Sequence, residues 1–333
     1  MLKQIQLAHG GGGEESGELI KSLFFKYFEN DILLKEEDGA VLNVKNNIAL
    51  STDAFTVQPL FFSGGNIGKL SIAGTTNDLA MMGARPLYLT ASFVIEEGFE
   101  FDKLEIIVKS MADELKKSGA MIVTGDTKVV PRGAVDGLFI TTSGVGEIMQ
   151  KGISAHNLQQ GHKIIVSNEV GNHGSCILAA REELKLESDL KSDCASLWSL
   201  VDALFENGIK PLALRDATRG GLSAVLNEWA VSSNVCIELE EKDIPIANEV
   251  KGLCEFLGFE PLELANEGTF VLCVKDEDVK VTLEILRGFK EGQKASLIGS
   301  VTNSHNQKVI LKTPWGSSRF LQPPQGELLP RIC

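Results

Sequence analysis

The sequence predicts two α/β domains of the α+β kind, each a mixed sheet covered by helices. Three observations lead there. Short β-rich runs alternate with amphipathic stretches in both halves of the chain. Several strands follow one another directly, which suits mixed sheets better than a doubly wound parallel one. At 333 residues the chain is too long for one ordinary core, so two are expected. The polar stretch from Lys151 to Gly161 marks the boundary. The expected units are 1–150, 160–312 and a mobile tail over 313–333.

In chain order, Leu19, Leu23 and Tyr27 form a helical stripe just after the run Gly10-Gly11-Gly12-Gly13. Ile48-Ala-Leu-Ser, Leu87 to Ile95, Met121-Ile-Val-Thr and Gly137 to Thr142 read as strands from their apolar, β-branched content. Between the second and third, Leu104, Val108, Met111 and Leu115 recur at i, i+4, i+7 and i+11, one face of a helix. The second half repeats the theme with strands at Lys163 to Ser167, Val235 to Leu239, Thr269 to Val274 and Ser296 to Val301. Its clearest helix follows Gly220-Gly221, where Leu222, Val225, Leu226 and Trp229 share a stripe. The last stretch has Pro at 314, 323, 324 and 330 and closes on Cys333. Extended at about 3.3 Å per residue, the chain after Lys312 reaches on the order of 60 Å. It reads either as a frayed end or as a thiol on a tether.

Composition narrows the function. With 43% hydrophobic and 23% charged residues, the chain is globular, not disordered. No apolar run is long enough to span a bilayer, and the start reaches glycines before a signal-peptide core develops, so a cytoplasmic protein without membrane contact is expected. A net charge of -13 argues against nucleic acid, whose phosphates demand clustered Lys and Arg. The cysteines at 176, 194, 236, 254, 273 and 333 form no Cys-x-x-Cys pair and stand beside no His at metal-ligand spacing. Cys176, Cys254 and Cys273 read as core filling, and Cys333 alone has an exposed context.

Several short motifs carry chemistry. Four glycines before a helix can turn backbone N–H groups toward an anion, or serve only as a flexible link. Ser63 to Leu70 comes close to a P-loop but lacks its first Gly and the hydroxyl after Lys69. Acidic residues stand among small neighbours in Ser51-Thr-Asp53, Asn77-Asp78, Gly125-Asp126-Thr-Lys128, Asp216-Ala-Thr218-Arg219-Gly-Gly and Asn266-Glu267-Gly. Each alone reads as a solvated turn residue or cap. Together they offer hard oxygens to nucleotide-bound magnesium, with Lys128 and Arg219 supplying the charge a phosphate needs.

In this order, these motifs, with Ala8-His-Gly-Gly-Gly-Gly, Phe61-Phe-Ser-Gly-Gly-Asn-Ile-Gly-Lys-Leu, Arg132-Gly-Ala-Val-Asp and the closing Pro330-Arg-Ile-Cys333, resemble the hydrogenase maturation factor HypE family over essentially the whole chain. The resemblance implies an aminoimidazole ribonucleotide synthetase-like fold, dimerising through the N-terminal sheet and binding ATP and Mg2+ between its domains. It implies Asp53, Asp78 and Asp216 as magnesium ligands. Gly10, Gly11, Gly12, Gly13, Asn77, Asp126, Lys128, Thr218 and Arg219 would contact nucleotide, and Lys128, Glu267 and Cys333 would carry the reaction. That reaction is ATP-dependent dehydration of a carboxamide on Cys333 to a thiocyanate, the source of cyanide ligands for nickel–iron hydrogenase. The implied partners are the carbamoyl donor HypF and the HypC–HypD iron scaffold. A small-molecule enzyme of the same fold, such as selenophosphate synthetase or thiamine monophosphate kinase, would share the carboxylates but not need Cys333. A carrier that only docks its tail would need Cys333 but not the nucleotide residues.

Overall fold

The computed structural model describes residues 4–11, 14–35, 39–181 and 190–324. A 3-10 turn over Leu7–Gly10 leads to α1 (Glu14–Leu19), which passes through a π-helical Ile20–Phe25 into α2 (Lys26–Phe28). The expected stripe packs inward, with Leu19 and Leu23 buried and Tyr27 half-buried.

The first sheet is built from β1 (Ile48–Phe55), β4 (Ala84–Glu96), β5 (Met121–Val130) and β6 (Leu138–Ile148), in the order β1-β6-β4-β5. The strands β2 (Phe61–Phe62) and β3 (Gly65–Asn66) form a small separate hairpin. Only β4 and β5 run parallel, as their connection through α4 (Phe101–Ser118) requires. Together α4 and α3 (Ile67–Met81) cover one face of this sheet. Along β1 the residues alternate accordingly: Ile48 and Leu50 on the other face remain 50% and 72% exposed.

The second sheet has seven strands: β7 (Lys163–Val166), β8 (Ala213–Asp216), β9 (Cys236–Glu240), β10 (Phe270–Val274), β11 (Ser296–Thr302), β12 (Lys308–Lys312) and β13 (Ser318–Phe320). Their order is β13-β12-β9-β11-β7-β10-β8, antiparallel except at β12–β9. Helices α6 (Trp198–Glu206) and α9 (Val279–Arg287) pack on one face and α7 (Gly221–Ser232) on the other, while α5 (Asn172–Ala180) packs against α8 (Asn248–Leu257). Strand β10 shows the consequence. Val271 and Cys273 enter the α7 core, whereas Phe270, Leu272 and Val274 enter the α6 and α9 core, so its apolar run is continuous.

Cys176, Cys194, Cys236, Cys254 and Cys273 are all buried, as core filling requires. The stretch expected to open the tail at 313 is held on the sheet as far as Leu321: β13 pairs with β12, and buried Leu321 donates its N–H to the Val309 carbonyl. Cys333 lies outside the described residues, as do Gly12 and Gly13.

Candidate active site

The site is organised by α3. Asn66 caps this helix by accepting from the backbone N–H groups of Gly68 and Lys69, and Lys69 Nζ reaches back to the Gly64 carbonyl. The near-P-loop is thus a helix cap; its side chains are spent on protein groups. Near the other end of α3, Asn77 is 1% exposed and bridges the domains. Its amide donates to the Ala195 and Glu267 carbonyls, and its oxygen accepts from Leu197 N at 2.8 Å.

Next to Asn77, Asp78 accepts a hydrogen bond from the Ser51 hydroxyl of β1. Asp53, two residues along, faces α3 and accepts from Thr75 Oγ1. Burial, reinforced by the charge of Asp78, pushes the Asp53 carboxyl up to about 6, against the pull of Arg219. Asp216 at the end of β8 is pushed up to about 7 by burial and then by Asp78. Glu267, 3% exposed, lies well above the ordinary carboxylate range, first by burial and then through Asp216 and Asp193. Four carboxylates therefore sense one another where the two domains meet around α3, and Arg219 acts on Asp53 and Arg215 on Asp216 as opposing cations. The turn carrying Thr218 and Arg219 depends on Gly220 and Gly221, both at positive φ, and a Cβ on Gly221 would lie 2.5 Å from the Leu264 carbonyl.

Residues outside the sequence motifs hold this arrangement. Asp193 accepts from Glu267 N and Gly268 N, both at 3.1 Å, and fixes the backbone that carries Glu267. Gly268 permits the close approach, since a Cβ there would lie 1.8 Å from the Asp193 carbonyl oxygen. Glu114, 1% exposed, accepts from Ser196 N and pairs with Lys117. Asn266 accepts from Gly171 N and donates to Ala217 O. Asp193 sits in Lys191-Ser-Asp-Cys194, an unremarkable polar segment, and no local signal singles it out.

Asp126 and Lys128 stand elsewhere. The register Asp126–Ser92–Thr141–Ala54 runs straight across the four-stranded sheet. Asp126 is thus three strand spacings from Ala54, the neighbour of Asp53, or about 14 Å. Partners in a register share a face, so Asp126 and Lys128, opposite Ser92 and Val94, point to the uncovered side while Asp53 points to α3. Both are exposed, joined by Lys128 Nζ–Asp126 Oδ1 at 3.4 Å. With Gly10 they line a cavity of about 350 Å³ between β5 and the N-terminal helical segment, whose floor is apolar through Phe24, Phe93 and Ile122. Gly10 is needed for closure, because a Cβ would meet Val129 N at 2.3 Å. The single chain therefore holds Asp53, Asn77, Asp78, Asp216, Arg219 and Glu267 in one group and Gly10, Asp126 and Lys128 in another.

Among the described residues, no three His, Cys, Asp or Glu side chains form a ready metal cage. The donor set nevertheless fits magnesium, which takes one or two carboxylates together with phosphate oxygens and waters. Burial first, and then the charge of Asp78, raise the proton affinity of Asp53 and Asp216, and a bound cation would relieve the repulsion among them.

Residues 36–148 match the AIR synthase related protein N-terminal domain, and residues 159–312 match its C-terminal domain. Fold and cleft thus define an AIR synthase-type chain with an acidic inter-domain site. Carbamoyl dehydratase HypE of Escherichia coli K12 is 45% identical over 340 residues, covering all of both chains. A solved structure of HypE in complex with ATP superposes with a TM-score of 0.95 at 41% identity, covering 98% of this chain and 99% of that one. A chain of a HypE–HypF complex matches at 44% identity and a TM-score of 0.79, covering 92% and 99%. The chain belongs to the HypE family of carbamoyl dehydratases. Thiamine-monophosphate kinase from Stenotrophomonas maltophilia, at 18% identity and a TM-score of 0.66 over 89% of this chain and 95% of that one, shares the fold alone.

Proposed function

We propose that this chain uses ATP to dehydrate a carboxamide carried on its own Cys333 to a thiocyanate, supplying cyanide for nickel–iron hydrogenase. The observation that carries the reading is Glu267, a buried carboxyl of high proton affinity backed by four aspartates, in a chain alike over its full length to carbamoyl dehydratases.

An amide oxygen is a poor leaving group, and phosphorylation makes it a good one. In the balanced step, the carboxamide oxygen bonds to the γ-phosphorus as ADP departs. The C–O bond then breaks with release of phosphate, and the nitrogen gives up its two protons, one to Glu267 and one to the departing phosphate, leaving S–C≡N. Glu267, as the carboxylate, is the acceptor for a nitrogen proton, and its raised proton affinity makes that carboxylate a stronger base. Lys128 brings positive charge to the phosphate oxygens, with Asp126, Asn77, Thr218, Arg219 and the Gly10 to Gly13 segment around the nucleotide. Asp53, Asp78 and Asp216 would hold Mg2+, which when bound offsets the charge of the polyphosphate.

The 14 Å between the two groups favours a homodimer. Its uncovered sheet face carries exposed Ile48 and Leu50 on β1 at one edge and Asp126 and Lys128 on β5 at the other, so a second copy docked across it would complete each site. HypF, which assembles with the related HypE of the solved complex, is the proposed carbamoyl donor, and the HypC–HypD scaffold the cyanide acceptor. The proposed compartment is the cytoplasm. No helix among the described residues is long and apolar enough to cross a membrane. Intact-protein mass spectrometry tests the reading: a carbamoylated chain given ATP and Mg2+ loses one water, and a chain that keeps its mass refutes it.

A further inference from the structure

The chain leaves its second sheet along a defined track. Among the described residues Leu321 is the last buried side chain, 2% exposed in the core beneath α7, with its N–H on the Val309 carbonyl. Its own carbonyl accepts from Asn227 Nδ2 at 3.1 Å, and the next carbonyl, that of Gln322, accepts from Ser223 Oγ at 2.8 Å. Ser223 is fully buried, and Asn227 Nδ2 also bonds the Ser223 carbonyl at 2.9 Å, which fixes its orientation. Ser223 and Asn227 are four apart and lie on one face of α7. Passing from Leu321 to Gln322, the chain therefore steps from residue 227 to residue 223, toward the start of the helix.

Two prolines preserve that heading. Gln322 precedes Pro323 and is biased to extended backbone, and Pro323-Pro324 lock φ near the polyproline value. The first residue of α7, Gly221, lies about 3 Å of helical rise beyond Ser223. Immediately before it stand Thr218, Arg219 and Gly220, and then Asp216. From Pro324, residues 325–333 span on the order of 30 Å when extended, ample to bring Cys333 into the carboxylate cleft.

We infer that Ser223 and Asn227, with Pro323-Pro324, are positioning residues that aim the Cys333 segment along α7 into the cleft of its own chain. The inference rests on the proposed dehydration of Cys333. Neither hydrogen bond touches the nucleotide or reacting atoms. Their effect is to raise the local concentration of the loaded thiol at the Arg219 turn.

The test compares full-length Asn227→Asp and Ser223→Ala with the parent, together with Pro323→Gly/Pro324→Gly, whose sites lie at the surface. The expected result is single-turnover dehydration on Cys333 slowed about tenfold. Carbamoyl loading and ATP affinity are expected to hold, and Ser223→Thr, which keeps the hydroxyl, to restore the rate. A second measurement supplies an S-carbamoylated peptide of residues 325–333 to the same variants in a Cys333→Ala background. Positioning predicts turnover equal to that of the matching Cys333→Ala parent. Unchanged rates on Cys333, or an equal loss on the free peptide, overturn the inference. A parent chain that loads but never loses water removes the proposed function itself, and this inference with it.

Discussion

Replacing Asp193 with Asn keeps the shape of the side chain and removes one acceptor from the loop that carries Glu267. In the native chain both carboxylate oxygens are used, one by Glu267 N and one by Gly268 N, each at 3.1 Å. The amide retains one oxygen and turns an NH2 toward the other backbone donor. Losing a charge-assisted bond costs about 1.5–3 kcal/mol, and partial solvent access to Asp193 favours the lower end. Native Gly268 already passes too close to Asp193 for any Cβ, so relaxation moves the 267–268 peptide itself. A shift of about 1 Å in a proton acceptor lowers a rate by up to about 100-fold. The expected outcome is dehydration slowed about 10- to 100-fold, with carbamoyl loading and nucleotide affinity retained. Losing the Asp193 charge also removes one cause of the raised Glu267 proton affinity, so the rise of rate with pH moves to lower pH. Rapid-quench single turnover followed by intact mass, repeated across pH, reads both effects. A parental rate with an unmoved pH profile refutes the assignment of Asp193 as the support of Glu267.

Glu267→Gln and Lys128→Ala are expected to accept the carbamoyl group and stall there, visible as an accumulated carboxamide by mass; parental dehydration in either leaves that residue a structural role only. Asp53→Asn and Asp78→Asn are expected to weaken Mg2+-dependent ATP binding by about tenfold or more in calorimetry, and unchanged affinity counts against both as ligands. Away from the site, Glu238 is held down to about 2 chiefly by its hydrogen bond with Lys312, then by Ser304. Its folded value lies below the ordinary 4.5, so its contribution is complete above about pH 4.5 and is lost as pH falls toward about 2. Because Lys312 is 40% exposed, screening limits that contribution to about 1 kcal/mol. Glu238→Gln is expected to flatten the acid limb of stability over that window in denaturant titrations, and an unchanged limb refutes the pairing.

Sequence patterning exposed what lies at a surface between core and solvent. The stripe Leu222, Val225, Leu226, Trp229 announced α7 because one side of that helix packs on the sheet. Helix α3 escaped the same reading although it organises the site. It is wedged between the first sheet, α4 and the second domain, so Gly68, Ser71, Thr75, Thr76 and Asn77 are as buried as its leucines and no stripe forms. The acidic motifs were legible as chemistry but not as geometry. Asp53 and Asp126 sit in similar small-residue contexts, and only the strand order β1-β6-β4-β5 reveals that they occupy opposite edges. Asp193 and Glu114 owe their roles to backbone N–H groups 74 and 82 residues away along the chain, a relation that no local spacing encodes.

The central claim is that the chain is both enzyme and substrate, and the direct measurement is the mass of the peptide bearing Cys333. Parent chain and Cys333→Ala are loaded with the carbamoyl donor system, given ATP and Mg2+, digested and mapped. The expected result is a carboxamide on Cys333 that loses one water only with ATP, while Cys333→Ala binds ATP and forms no thiocyanate. A thiocyanate on any other cysteine, or a carboxamide on Cys333 that persists with ATP present, contradicts it.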